Sequence, residues 1–254
     1  QLQAEIADLL SLVREWYGTF GLPPSYRLAT RSAERLGTEE QWDSAEDALH
    51  QALSGNGLAY DLDKGGAAFY GPKIDIDVED ALGRKWQLAT VQVDLTMLPE
   101  RMQCEFIDAD GQAKRPVVIH RAIFGSYERF VAILTEHFAG AFPTWLAPTQ
   151  ARVLPISEKH AEYGRTVWKR LRDARVRVML DDRNEKLGYR IRDAQVHKIP
   201  YMLVVGEREA QNGTASLRRR TGEDMGAVPL DRIVEELAAE IGSRSATLTV
   251  GRPL

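Results

Sequence analysis

Arg129 stands in the segment Gly125-Ser126-Tyr127-Glu128-Arg129-Phe130, just after a short apolar run and at the opening of a helical pattern. Arginine presents a planar fork of donors that suits phosphate or stacking on a base, and the first amides of a helix add to anion binding. Beside Glu128 the same residue equally makes an ordinary surface pair. His120 ends the run Val117-Val118-Ile119, where a histidine is either a satisfied core residue or a ligand. Zinc needs three or four ligands, and Cys104 has no CxxC or CxxH companion, so spacing within this chain does not by itself support a metal site. Gln87, Thr90 and Gln92 fall on one predicted strand, where strict alternation puts Thr90 and Gln92 on one face and Gln87 on the other. Uncharged donors and acceptors on a sheet face either discriminate small polar ligands or face water. Tyr70-Gly71-Pro72-Lys73 adds a hydroxyl and an ammonium on a conformationally fixed stretch. Further on, Arg190, Arg192 and Lys198 share one predicted helix, and Arg218-Arg219-Arg220 ends a strand. Such a basic surface suits a phosphate backbone, or is a solvated face balanced by Glu207, Glu209, Glu223 and Asp224.

The elements that must carry these residues are legible from periodicity. Leu2, Ile6, Leu9, Leu10, Val13, Trp16 and Phe20 recur at helical spacing until Gly21 and Pro23-Pro24 stop them. A strand is expected over 26–29 and a helix over 38–53, with Thr38 as N-cap and Gly55-Asn56-Gly57 as its end. Residues 69–79 alternate as a half-exposed strand, 81–84 turn, and 85–95 return. Residues 99–115 read as a polar excursion, 117–119 as a short buried strand, and 122–138 as a helix. Pro143 and Pro148 bracket a hinge. Beyond it, strands are expected at 151–156, 176–180, 201–206 and 214–219, alternating with helices at 158–175, 187–197 and 229–241. That order implies a partly parallel sheet covered by helices. Asn212-Gly213 is expected to join the last two strands as a hairpin turn.

Composition narrows the class. At roughly 100–200 residues per domain, 254 residues hold one large domain or two ordinary ones, and 44% hydrophobic residues exclude wholesale disorder. No apolar run approaches the roughly 18–20 residues of a membrane helix, which argues against a membrane partner. A single cysteine excludes an internal disulfide framework and suggests a reducing, cytoplasmic setting. The chain opens Gln1-Leu2-Gln3 without a methionine or a basic-then-apolar leader, as a piece of a longer polypeptide would. The net charge of -4 is unevenly spread: residues 1–146 carry 13 basic and 22 acidic side chains, residues 147–254 carry 20 and 15. A basic second half is the candidate for a polyanion partner.

Taken in order, the segments resemble one family. Ala68-Phe69-Tyr70-Gly71-Pro72-Lys73-Ile74, Trp86-Gln87-Leu88-Ala89-Thr90-Val91-Gln92-Val93-Asp94 and Ile119-His120-Arg121-Ala122-Ile123-Phe124-Gly125-Ser126-Tyr127-Glu128-Arg129-Phe130 resemble the threonyl-tRNA synthetases of class II. Phe142-Pro143-Thr144-Trp145-Leu146-Ala147-Pro148, Asp182-Arg183-Asn184-Glu185-Lys186-Leu187-Gly188 and Pro200-Tyr201-Met202-Leu203-Val204-Val205-Gly206 extend the match to nearly the whole chain. The resemblance implies an α+β fold: the latter part of an antiparallel class II catalytic core over 1–146, then a small α/β anticodon-binding domain with a mixed sheet over 147–254. It implies a threonine–tRNA ligase using ATP with Mg2+, with threonine and a threonine tRNA as substrates, homodimeric in the full-length family.

Residue by residue, the resemblance makes Arg129 the motif 3 arginine that contacts ATP. Tyr70, Lys73, Gln87, Thr90, Gln92 and Ser126 line the ATP and threonine pocket. Asn184, Lys198, Glu209 and Arg218 read the anticodon, Lys198 standing where an arginine is common. His120 is similar to one of three zinc ligands that grip threonine; the family's other two, with motifs 1 and 2, precede the position of Gln1. Zinc on the β-hydroxyl would reject valine where a plain pocket discriminates an isostere poorly. Residues 95–102 are one residue longer than the usual family pattern. A second reading is a synthetase-derived protein that binds tRNA without catalysis.

Overall fold

A computed structural model describes residues 1–251, which divide into two compact units, Gln1–Glu136 and a second beginning at His137. In the first unit, α1 (Leu2–Phe20) buries Ile6, Leu10, Val13, Tyr17 and Phe20 at alternating spacings of four and three, the single apolar stripe of an amphipathic helix. Gly21, at φ 72°, ends it in the left-handed conformation that glycine tolerates. β1 (Ser25–Ala29) follows. α2 (Glu39–Gly55) starts at a complete capping box, in which Thr38 Oγ1 accepts from the Gln41 amide and the Gln41 side chain accepts from the Thr38 amide. β2 (Tyr60–Asp63), β3 (Lys73–Glu79) and β4 (Lys85–Asp94) come next. α3 (Met97–Arg101) is capped by Asp94, whose carboxylate accepts from the amides of Thr96, Met97 and Leu98. The hairpin β5 (Phe106–Ile107) and β6 (Ala113–Lys114) forms the polar excursion, and β7 (Val118–Ala122) leads to α4 (Tyr127–His137).

The first sheet runs β2-β1-β3-β4-β7, antiparallel except for β1 with β2. Ile74, Ile76, Val78, Ala89, Val91 and Val93 fill one face, against which α1 and α2 pack. Two expectations shift here. The helix expected from 122 begins five residues later, because Ala122 pairs with Thr90 as the last residue of β7 and Gly125 then turns at φ 61°. β7, expected to be buried, is an outer strand with half-buried Val118, Ile119 and His120, and Val117 before it is exposed.

The second unit holds the mixed sheet anticipated for it. β8 (Ala151–Pro155), α5 (Ala161–Asp173), β9 (Val178–Leu180), α6 (Leu187–Val196), β10 (Tyr201–Val205), α7 (Glu207–Asn212), β11 (Thr214–Arg219), β12 (Asp224–Pro229) and α8 (Leu230–Gly242) follow in order. The sheet order is β12-β11-β10-β8-β9, with the β8, β9 and β10 pairings parallel and the other two antiparallel. Alternation along the strands divides the core. Val153, Tyr201, Leu203, Val205, Ala215 and Leu217 pack with Val167 and Leu171 of α5 and Ile233 and Leu237 of α8. Leu154, Met202 and Val204 pack with Ala194 of α6 on the other face.

The expected two-residue hairpin at Asn212-Gly213 is instead a helical excursion: β10 and β11 do pair antiparallel, but α7 lies between them and Gly213, at φ 64°, ends that helix. β12 escapes the sequence reading because Gly226 and Pro229 disguise an edge strand that also carries a bulge opposite Leu217 and Arg218. The proline-bracketed stretch at 143–148 is pinned within this unit. Gln150 Nε2 donates to the Thr144 carbonyl, and the Arg177 guanidinium donates to those of Trp145 and Ala147.

Candidate functional site

One irregularity in β4 assembles the polar face of the first sheet. Opposite β3 the register runs Lys73 to Gln92, Asp75 to Thr90 and Ile76 to Ala89, then Asp77 to Gln87, so Leu88 is the extra residue of a bulge. An inserted residue resets the alternation. Gln87, expected on the face opposite Thr90, therefore joins it: Gln87 Nε2 donates to Thr90 Oγ1 at 2.9 Å and to Asp75 Oδ1 at 2.6 Å. Thr90 Oγ1 lies 3.2 Å from the same Asp75 oxygen, and Lys73 Nζ lies 2.7 Å from Asp75 Oδ2. Arg27 of β1 borders this cluster at 3.9 Å from Asp75 and 3.3 Å from Asp77. Asp75 is only 2% exposed.

Tyr70, Gln92 and His120 form a second group on the same face. Tyr70 Oη donates to Gln92 Oε1 at 3.0 Å, and Gln92 Nε2 donates to the Gly71 carbonyl at 3.1 Å. The bend that presents Tyr70 depends on Gly71, since a Cβ there would stand 1.7 Å from the Val93 carbonyl oxygen. His120, opposite Gln92 on β7, lies with its ring centre 5.8 Å from that of Tyr70, tilted by 54°, and sets Nε2 3.1 Å from Oδ2 of the fully buried Asp94. A carboxylate accepts only, so Nε2 carries the proton of this contact, which leaves Nδ1 as the nitrogen that can face a ligand. That is how a carboxylate prepares a histidine for a metal. Among the described residues, however, no three His, Cys, Asp or Glu side chains gather to hold an ion, and His120 offers one ligand atom.

Arg129 occupies the first turn of α4, where Ser126 Oγ accepts from its backbone amide at 3.2 Å. Its exposed guanidinium stacks over the indole of Trp86, the neighbour of Gln87, with 5.5 Å from carbon to ring centroid. Trp86 is fixed in turn: Nε1 donates to Asp80 Oδ2 at 2.8 Å. Asp80 also accepts from the amides of Leu82 and Arg84 and from Arg84 Nε. Burial opposes ionisation of Asp80, yet the Trp86 indole, the Arg84 and Leu82 amides and the Arg84 side chain hold it well below the usual carboxylate range. The bulge and the turn into α4 touch, because Gly125 approaches the Leu88 carbonyl so closely that a Cβ would lie 3.1 Å from it.

In the second unit the four expected anticodon residues fall at two ends of the sheet. Asn184, exposed, follows β9, and Glu209 lies in α7 just after β10, both at the C-terminal ends of the parallel strands. Lys198 precedes β10 at φ 56°, beyond the end of α6, and Arg218 pairs with Met202 near the start of β10. β10's five residues span roughly 16 Å at about 3.3 Å per residue. Several of these groups already have internal partners. Glu209 accepts from the Gly206 amide, Lys198 donates to the Ala139 carbonyl, and Arg218 bonds Asp224 at 2.6 Å.

The basic surface read from the sequence is correspondingly smaller. Arg190 is 3% exposed and donates to the carbonyls of Pro155, Asp181 and Glu185, and Arg219 is tied to Glu223 and the Val250 carbonyl. Sequence reasoning missed Asp75, Asp80, Trp86 and Asp94 as site-building residues. For Asp75 the only signal was its alternation with Ile74 and Ile76, which reads equally as a solvated position.

Comparison with known proteins agrees with this arrangement. Residues 1–138 match the family model "tRNA synthetase class II core domain (G, H, P, S and T)", and residues 150–240 match the model "Anticodon binding domain". The threonine–tRNA ligase of Caldanaerobacter subterraneus subsp. tengcongensis is 51% identical over 96% of this chain, and that of Symbiobacterium thermophilum 49% over 96%. The chain spans 38% of the length of each. A crystal structure described as the RNA binding domain of threonyl-tRNA synthetase from Cryptosporidium parvum Iowa II superposes with a TM-score of 0.88 at 40% identity, covering 94% of this chain and 60% of that one. With the core model matched across more than half of its residues and threonine–tRNA ligases as its relatives, this chain belongs to the class II aminoacyl-tRNA synthetases.

Proposed function

We propose that this chain supplies the latter portion of the catalytic domain and the anticodon-binding domain of a threonine–tRNA ligase. The observation that carries the reading is the bulge-built polar face, which gathers Lys73, Gln87 and Thr90 beside Tyr70, Gln92 and His120, within a chain whose relatives are threonine–tRNA ligases. In the complete enzyme the threonine carboxylate attacks the α-phosphorus of Mg2+-bound ATP, pyrophosphate leaves, and the adenylate then acylates the 3′-terminal adenosine of a threonine tRNA.

Each residue has a role in that scheme. Arg129 meets charge on the phosphates, an electrostatic contribution and not a proton transfer. Trp86 keeps its guanidinium extended for that purpose. Ser126, Gln87, Thr90 and Lys73 bind the nucleotide, and Tyr70 and Gln92 orient threonine. Zinc, when bound, would ligate the amino and hydroxyl groups of threonine and so exclude valine; His120 would hold it through Nδ1. The second unit reads unpaired anticodon bases through Asn184, Lys198, Glu209 and Arg218 by edge hydrogen bonds and stacking. The working enzyme is a cytoplasmic homodimer.

The test is pyrophosphate exchange into ATP by the full-length polypeptide containing this chain. Exchange that depends on threonine and is absent with valine supports the reading. Tight binding of a threonine tRNA without any amino-acid-dependent exchange would instead identify a tRNA-binding relative that has lost catalysis.

A further inference from the structure

Three of the side chains assigned above to the pocket converge on one buried carboxylate. We propose that Asp75 is a positioning residue of the nucleotide site: it fixes which way the Gln87 amide faces and so makes that part of the pocket a receptor for a hydrogen-bond donor on the nucleotide. This deepens the ligase reading and rests on it, since it takes Gln87, Thr90 and Lys73 as ligand residues.

The geometry assigns the amide without ambiguity. A carboxylate oxygen only accepts, so the Gln87 atom 2.6 Å from Asp75 Oδ1 is the nitrogen, Nε2. The same nitrogen lies 2.9 Å from Thr90 Oγ1, and Thr90 gives its own proton to Asp75 at 3.2 Å. Both N–H bonds of the amide therefore turn inward. Its carbonyl, Oε1, is left on the exposed side of Gln87 as an acceptor. On the other oxygen of Asp75, Lys73 Nζ is held at 2.7 Å with two N–H bonds still available. One face thus offers an oriented acceptor at Gln87 and a cation at Lys73, the pattern that fits a molecule carrying hydroxyl or amino donors and an anionic group together. A nucleotide is such a molecule. Asp75 itself, 2% exposed and roofed by these side chains, acts only through them.

The substitution Asp75→Asn, made in the full-length polypeptide, keeps the shape but puts a donor where Gln87 or Lys73 needs an acceptor. The KM for ATP in threonine-dependent pyrophosphate exchange should rise about tenfold while kcat changes less than threefold. In a Gln87→Ala background the same substitution should raise the KM for ATP about threefold or less, because its main route is gone and only the contacts of Asp75 with Lys73 and Thr90 are left to disturb. A tenfold rise in both backgrounds overturns the proposal, as does an unchanged KM in Asp75→Asn. An unchanged KM for ATP and threonine in Gln87→Ala alone overturns the ligand reading of this face, and the proposal with it. A measurement on the unsubstituted protein removes dependence on folding of the variant. The Gln87 side-chain amide protons should resonate apart and downfield of exposed glutamines, and coincidence with those glutamines contradicts the assignment.

Discussion

The Arg129 guanidinium lies 5.5 Å from the centre of the Trp86 indole, and that indole is anchored at its edge, where Nε1 donates to Asp80 at 2.8 Å. The pair joins the start of α4 to the β3–β4 hairpin, so the residue read as the phosphate contact is held by a turn far from it in sequence. At an exposed site a cation over an indole contributes about 0.5–1 kcal/mol.

Replacing Trp86 by leucine should therefore lower kcat/KM for ATP in pyrophosphate exchange about two- to fivefold, with Trp86→Phe closer to the parent. The check is steady-state exchange of the three proteins side by side. A Trp86→Leu enzyme with unchanged kcat/KM would separate Arg129 from its neighbour.

Gly125→Ala should be more damaging than its size suggests. The position has φ 61°, and an added methyl would press against the Leu88 carbonyl at 3.1 Å. A cost of about 1–2 kcal/mol is expected for forcing a side chain into that conformation. Thermal denaturation should show a lowered melting temperature for the first unit, and the KM for ATP should rise with it.

Much of the fold was legible and the key part of the site was not, for physical reasons. α1 and α2 announce themselves through apolar spacing and caps, which are local signals. The bulge at Leu88 has no period of its own, so alternation sent Gln87 to the wrong face although Thr90 and Gln92 were placed together. The burial of Asp75 depends on side chains from two neighbouring strands. α7 was hidden because Asn212-Gly213 is an equally good hairpin turn and helix end. Arg190 and Arg219 looked like a polyanion surface because sequence carries no record of which carbonyls lie within reach of a guanidinium.

The second unit should lose stability in acid through a defined pair. Arg152 beside Asp193, reinforced by Arg183, holds the Asp193 carboxyl below its usual value; Asp181 is also lowered, burial opposing and Arg183 prevailing. A carboxyl depressed in the folded state stabilises it fully above the ordinary value near 3.9, and that contribution vanishes as pH falls through the depressed one. Melting temperatures of the parent and Asp193→Asn should thus differ at pH 7 and converge towards pH 3. A gap that stays constant across that range contradicts the ion-pair origin.

Arg218 and Asn184 lie at opposite ends of the second sheet, so their substitutions should affect separate parts of a bound RNA. Arg218→Ala should weaken binding of a threonine tRNA about tenfold, measured by filter binding at fixed salt. Equal loss across all tRNAs would make Arg218 a phosphate contact that reads no base.

The most direct test of the central claim is threonine-dependent pyrophosphate exchange by the full-length polypeptide with Arg129→Ala. Loss of a charge-stabilising donor at the reacting phosphates predicts a fall in kcat of roughly a hundredfold or more, with the melting temperature retained. Full exchange in the Arg129→Ala enzyme would contradict the account.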